Sequence, residues 1–171
     1  MTRFALAPMS SGLRLLTWGL FGVPLCMLGA ALVARPPIGS VLGGAFVFVA
    51  LLYASVWFVF RPTYFAVGES DLRIVWPARS RVIPREAIVR ARVLSHDEFR
   101  RTYGWGVRIG AGGLWGGFGL LQTSQVTFSM WISRLDPLVI VELREGRPLL
   151  LTPENPGSFV EALGSAPRAE R

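Results

Sequence analysis

The sequence predicts an α-helical transmembrane hairpin followed by a small, mainly β domain that a C-terminal helix closes. Three observations carry this expectation. Residues 15–34 and 36–60 contain no Asp, Glu, Lys, Arg or His, whereas charges recur every few residues from Arg61 onward. Beyond that boundary the apolar pattern changes to period two, the signature of half-buried strands. Near the end, Asn155-Pro156 supplies a cap and a first-turn proline, and Phe159, Val160 and Leu163 form one apolar stripe before Gly164. The expected units are 1–61 for the hairpin, 62–164 for the β domain and 165–171 for a flexible tail.

The hydrocarbon core of a bilayer, about 30 Å thick, takes about 20 helical residues. Leu15–Ala34 meets that length between Arg14 and Arg35, and Ile38–Phe60 exceeds it before Arg61-Pro62. Backbone groups in lipid must be hydrogen-bonded internally, so both runs are expected to be helical. Arg35-Pro36-Pro37 leaves room only for a tight turn. Trp18 and Trp57 would then share one interface as an aromatic belt. Pro24 falls within the first span, and Gly39 and Gly43 have the spacing of closely approaching membrane helices. The rival arrangement is a cleaved signal peptide, with Arg3 as a basic start and Ala30, Ala31 and Ala34 for cleavage. The apolar run exceeds the roughly 7–15 residues of a signal core, which favours the uncleaved hairpin. Arg3 and Arg14 precede the first span, Arg35 alone marks the turn, and Arg61, Arg73, Arg79 and Arg81 follow the second. The positive-inside rule places both termini in the cytoplasm of a multi-pass inner-membrane protein.

Composition removes much chemistry. All 18 Lys+Arg residues are arginine, so there is no Schiff-base lysine and no Walker-type phosphate loop. Cys26 is the only cysteine and His96 the only histidine, which excludes an intramolecular disulfide and a Cys/His zinc site within one chain. Cys26 reads as a small buried hydrophobe, and His96 with Asp97-Glu98 as a solvated loop. No serine stands in a nucleophile elbow. No enzyme, cofactor or metal is expected, and the modest net charge without a recognised motif argues against nucleic acid.

The β domain opens with Tyr64–Val67, and the turn residues Gly68-Glu69-Ser70-Asp71 lead into an alternating strand, Leu72 to Trp76. Val82-Ile83-Pro84 reads as an edge strand and Ile88–Leu94 as another. Val126–Ser133 is rich in β-formers. Asp136-Pro137 turns the chain into Leu138–Leu143, and Glu145-Gly146 makes a hairpin into Pro148–Leu151. The last helix is expected over about 156–163.

Three motifs in this region resemble the bacterial pleckstrin-homology-like (PH-like) domains fused to membrane hairpins. They are Tyr64-Phe65-x-Val67-Gly68-x-x-x-Leu72, Ile83-Pro84-x-Glu86-x-Ile88, and the ending Leu151-x-Pro153-x-x-Pro156-x-x-Phe159-Val160-x-x-Leu163. The resemblance covers roughly Thr63–Leu163 and is nearest the subset with a glycine-rich middle, here Tyr103 through Gly119. It implies a β-roll or barrel closed by the helix, and suggests headgroup binding.

That glycine-rich stretch, Gly104–Gly119, lacks the spacing of a dinucleotide loop and is too short and glycine-rich for a third span. Two readings remain. In the first, Trp105, Trp115 and Phe118 fill a core beneath a turning loop or bulged strand. In the second, they lie at the bilayer surface or line a groove beside Arg108. Arg79 and Arg81 likewise mark either topology and solubility or an anionic headgroup site. The function expected is a non-enzymatic, membrane-anchored PH-like module. It would bind protein partners or lipid headgroups at the cytoplasmic face. The alternative is a structural subunit of an oligomeric membrane complex.

Overall fold

The computed structural model describes residues 1–164, so the expected tail lies outside the described residues. Two helices form the hairpin. Helix α1 spans Ser11–Val33, and α2 spans Ile38–Ser55 before continuing as a π-helical turn, Val56–Phe60. Both are long and apolar enough to cross a membrane, and only 11% and 6% of their most apolar windows is buried within the protein. A core helix of a soluble protein would hide such side chains, whereas these remain exposed. Gly39 lets the chain reverse tightly: a Cβ there would lie 2.6 Å from the Ala34 carbonyl oxygen. Gly43, its expected partner in close approach, faces open space.

The β domain is built from two sheets. The first has the order β1 (Thr2–Ala5), β2 (Tyr64–Val67), β3 (Asp71–Val75), β4 (Ser80–Pro84), all antiparallel. A 3-10 turn, Arg85–Ala87, leads to β5 (Ile88–Leu94), and α3 spans His96–Tyr103. The glycine-rich stretch forms β6 (Gly106–Gly112) and β7 (Gly117–Thr123), followed by β8 (Thr127–Ile132), β9 (Leu138–Leu143) and β10 (Leu149–Leu151). The second sheet runs β5-β9-β10-β8-β7-β6, with β10 parallel to β8 and every other pair antiparallel. Helix α4, Pro156–Gly164, closes the chain described.

Alternation along the central strands explains the two cores. Val139, Val141, Leu149 and Leu151 point toward the first sheet and meet Phe65 and Phe159. Their neighbours Ile140 and Leu150 point the other way, onto Phe99, Phe128 and Met130 beneath α3. The central strands β9 and β10 are thus buried on both faces over Leu138–Val141 and Leu149–Leu151, which is why LVIV and LLL read as unbroken apolar runs.

Three expectations are corrected. The described residues form no closed barrel, because β1 and β4 remain edges of one sheet and β5 and β6 of the other. The first residues, expected with the hairpin, belong to the first sheet: Phe4 pairs with Phe65 and packs edge-to-face on Phe159 at 5.3 Å. The segment after β1 is also tied down, with Ala7 N–H donating to Thr152 O and Ser10 N–H to Ser133 O. The expected loop at His96-Asp97-Glu98 is helical. Ser95 and Glu98 form a reciprocal capping box, and Phe99 supplies the buried anchor.

Candidate membrane interface

The hairpin and the β domain meet at a junction built on Thr17. This threonine is buried within an otherwise apolar helix, because its hydroxyl bridges α1 to the β6–β7 turn. It lies 2.8 Å from Leu13 O and donates to Gly113 O at 3.0 Å, while accepting from Trp115 N–H at 3.2 Å. The turn presses its backbone against the helix, and glycine is required at Gly113. Its φ is +94°, and a Cβ there would sit 3.3 and 3.4 Å from Leu20 and Leu16. Higher in the same hairpin, Gly110 and Gly119 pair across the strands, both at positive φ, each where a Cβ would strike the opposing backbone.

Trp115 completes an aromatic ladder. Its ring meets Trp57 at 4.9 Å and Phe21 at 5.7 Å, and Phe21 meets Tyr53 at 5.5 Å and Trp18 at 6.4 Å. Such edge-on and tilted contacts suit the ring quadrupole. Tyr53 Oη donates to Leu20 O at 2.8 Å, which fixes the helical pair in register. Counting outward from that contact, Trp18 stands about level with Trp57, and Arg14 about level with Arg61. From Arg14 to Ala34 the helix rises about 30 Å, the thickness of a bilayer's hydrocarbon core.

The end of α2 is fastened to the first sheet by the β3–β4 turn. Trp76 Nε1 donates to Phe60 O at 3.0 Å and Arg79 to Val59 O at 2.9 Å, satisfying carbonyls that a helix end leaves free. Arg79 also stacks on Trp76 at 4.8 Å, Arg81 lies over Trp131 at 5.9 Å, and Arg61 over Trp57 at 4.4 Å. Burial pulls the Arg61 guanidinium below its ordinary value, and its Nε is buried without a hydrogen-bond partner. The two ion pairs among the described residues, Arg73–Asp71 and Arg92–Glu142, involve none of Arg14, Arg61, Arg79 or Arg81. The junction therefore carries cationic groups without acids to balance them.

The residues singled out from sequence separate into three groups. Trp115, Arg79 and Arg81 gather at the junction. Trp105 lies elsewhere, beside the exposed edge strand β6, where it is 81% exposed and stacked under Arg100 at 3.5 Å, and Arg108 stands on β6 with its side chain beside Gly112 and Gly117 at the base of the β6–β7 turn. Phe118 is fully buried between the sheets and is unavailable to a ligand or bilayer. Sequence reasoning missed Thr17, Phe21 and Arg14. Their signal was the spacing 14, 17, 18, 21, which places all four side chains on one helix face. No family model, curated protein or solved structure matches this chain.

Proposed function

We propose that this chain is a non-enzymatic, membrane-anchored module. Its PH-like β domain sits on the cytoplasmic face and is held against acidic lipid headgroups by an arginine collar. The observation that carries the reading is the junction itself. Four arginines without acidic partners, Arg14, Arg61, Arg79 and Arg81, surround the level at which two exposed apolar helices begin and end. Near an anionic leaflet each contributes about 1 kcal/mol of attraction. Trp115 contacts Phe21, about two helical turns below Arg14, so the glycine-rich turn dips toward the hydrocarbon beside the hairpin.

The pairing of β1 with β2 supports the topology. The chain enters and leaves the hairpin from one β domain, so both ends of the hairpin lie on one side. That side carries the arginine collar, whereas the turn carries Arg35 alone. Cleavage near Ala34 would remove β1 and strip Phe159 of its Phe4 partner, which favours the uncleaved form.

The test uses the full chain in cells. Reporter fusions are expected to place position 35 outside the cytoplasm and the C-terminus inside, with the protein resisting alkaline carbonate. Acidic lipids are expected to be enriched in the lipid that copurifies. Carbonate extraction, an inverted reporter pattern, or copurified lipid matching the bulk membrane would each refute the proposal.

A further inference from the structure

Beside the junction lies a groove of about 290 Å³ lined by Met9, Thr17, Trp18, Phe21 and Trp115. Its walls are mainly apolar and aromatic, and the buried Thr17 hydroxyl at its base is hydrogen-bonded within the protein. A mainly apolar groove of this character favours hydrocarbon over water. Directly above it, on the same face of α1, stands Arg14. This side chain is exposed and makes no hydrogen bond, ion pair or ring contact among the described residues. Across the hairpin at about the same level is Arg61, stacked on Trp57 at one end of the ladder that walls the groove.

A slot for hydrocarbon with an unpaired cation one turn above it is complementary to one kind of molecule. We propose that the groove is a specific site for a single acidic phospholipid of the surrounding bilayer. Its phosphate is held by Arg14, with Arg61 adding positive potential, and one acyl chain lies along Trp18, Phe21 and Trp115. This rests on the membrane-anchored reading above and goes beyond it. The collar attracts anionic headgroups in general, whereas the groove selects one lipid molecule by reading its head and tail together. The β6–β7 turn forms one wall, so an occupied groove ties the position of the β domain to the lipid it rests on.

The test reconstitutes the full-length protein in phosphatidylcholine vesicles containing a small fraction of chain-brominated lipid, either phosphatidylglycerol or phosphatidylcholine. Bromine quenches nearby tryptophan fluorescence. Brominated phosphatidylglycerol is expected to quench at about fivefold lower mole fraction than brominated phosphatidylcholine, equivalent to about 1 kcal/mol for one basic side chain at an anionic surface. Arg14→Gln should weaken that preference to the residual level that Arg61, Arg79 and Arg81 supply while leaving quenching by brominated phosphatidylcholine unchanged, and Arg14→Lys should retain it. Equal quenching by both lipids in the wild type, weak quenching by either, or a preference undiminished in Arg14→Gln would each overturn the site. Carbonate extraction of the same preparation separates the two failures. Resistant protein whose preference is the same in wild type and Arg14→Gln refutes the groove alone, resistant protein with no preference refutes the collar as well, and extracted protein refutes the anchoring itself.

Discussion

Replacing Thr17 by valine keeps the shape of the side chain and removes the hydroxyl that joins α1 to the glycine-rich turn. Gly113 O and Trp115 N–H, at 3.0 and 3.2 Å from that hydroxyl, would then face an apolar methyl in a buried setting. An unsatisfied buried group costs about 1–3 kcal/mol. The turn can move partly away, so the lower half of the summed range applies, about 2–4 kcal/mol. The expected outcome is local. The β6–β7 tip should detach from the helix, while the packing about Val139–Val141 and Leu149–Leu151, remote from Thr17, stays intact. Amide hydrogen exchange on the full chain reads this directly. Loss of about 2 kcal/mol corresponds to roughly thirtyfold faster exchange at the Trp115 N–H, with little change at Ile140 or Leu150. Thr17→Ser, which retains the hydroxyl, should exchange much more like the wild type. If Thr17→Val left Trp115 as protected as before, or if the serine variant behaved like the valine one, the hydroxyl would not be what docks the turn.

Other perturbations test other joints. Phe4→Ala removes a core ring that is 8% exposed and packed on Phe159, so it should destabilise the β domain by about 3–5 kcal/mol in denaturant unfolding. The effect of a surface change there would refute the role of β1. Arg85 donates to the Ala162 and Leu163 carbonyls at the end of α4. Arg85→Gln should therefore fray that helix at a cost of about 1–2 kcal/mol, read as faster amide exchange around Phe159. Unchanged exchange there would refute the cap. The Ser95 backbone N–H, then the Ser95 hydroxyl, hold the Glu98 carboxyl below the usual carboxylate range. A depressed folded value means that the cap's contribution is complete above the ordinary glutamate range and is lost as pH falls through the folded value. Protection of α3 amides should drop on acidification in the wild type and stay flat in Glu98→Gln; identical profiles would refute the linkage.

The hairpin was legible because an uncharged run of bilayer length has few alternatives, and most strands because their alternation or β-branched content is local. What escaped depended on distant partners or on short elements. Thr2–Ala5 is too brief to show a period, and becomes a strand only because Tyr64–Val67 offers it an edge. Helix α3 had its signal in Ser95-x-x-Glu98, yet eight mostly polar residues with one buried phenylalanine resemble a loop when read alone. Thr17 was invisible for a different reason: a hydroxyl in an oily helix gains meaning only from Gly113 and Trp115, almost a hundred positions later. The aromatic residues of the glycine-rich stretch could be flagged but not sorted. Nothing in their own neighbourhood separates Phe118, sealed between sheets, from Trp105 on an open edge.

Strand β1 has a consequence for how the molecule assembles. Its partner β2 lies some sixty residues downstream, a separation that would ordinarily carry a heavy closure cost. The antiparallel helices remove most of that cost by delivering the two chain ends side by side, so they act as an enlarged β-turn. The first sheet can acquire its outermost strand only once the helices have paired. A protein whose hairpin is mispaired would leave the Phe65–Phe159 surface without its Phe4 cover, so the folding of the β domain is coupled to the pairing of the helices.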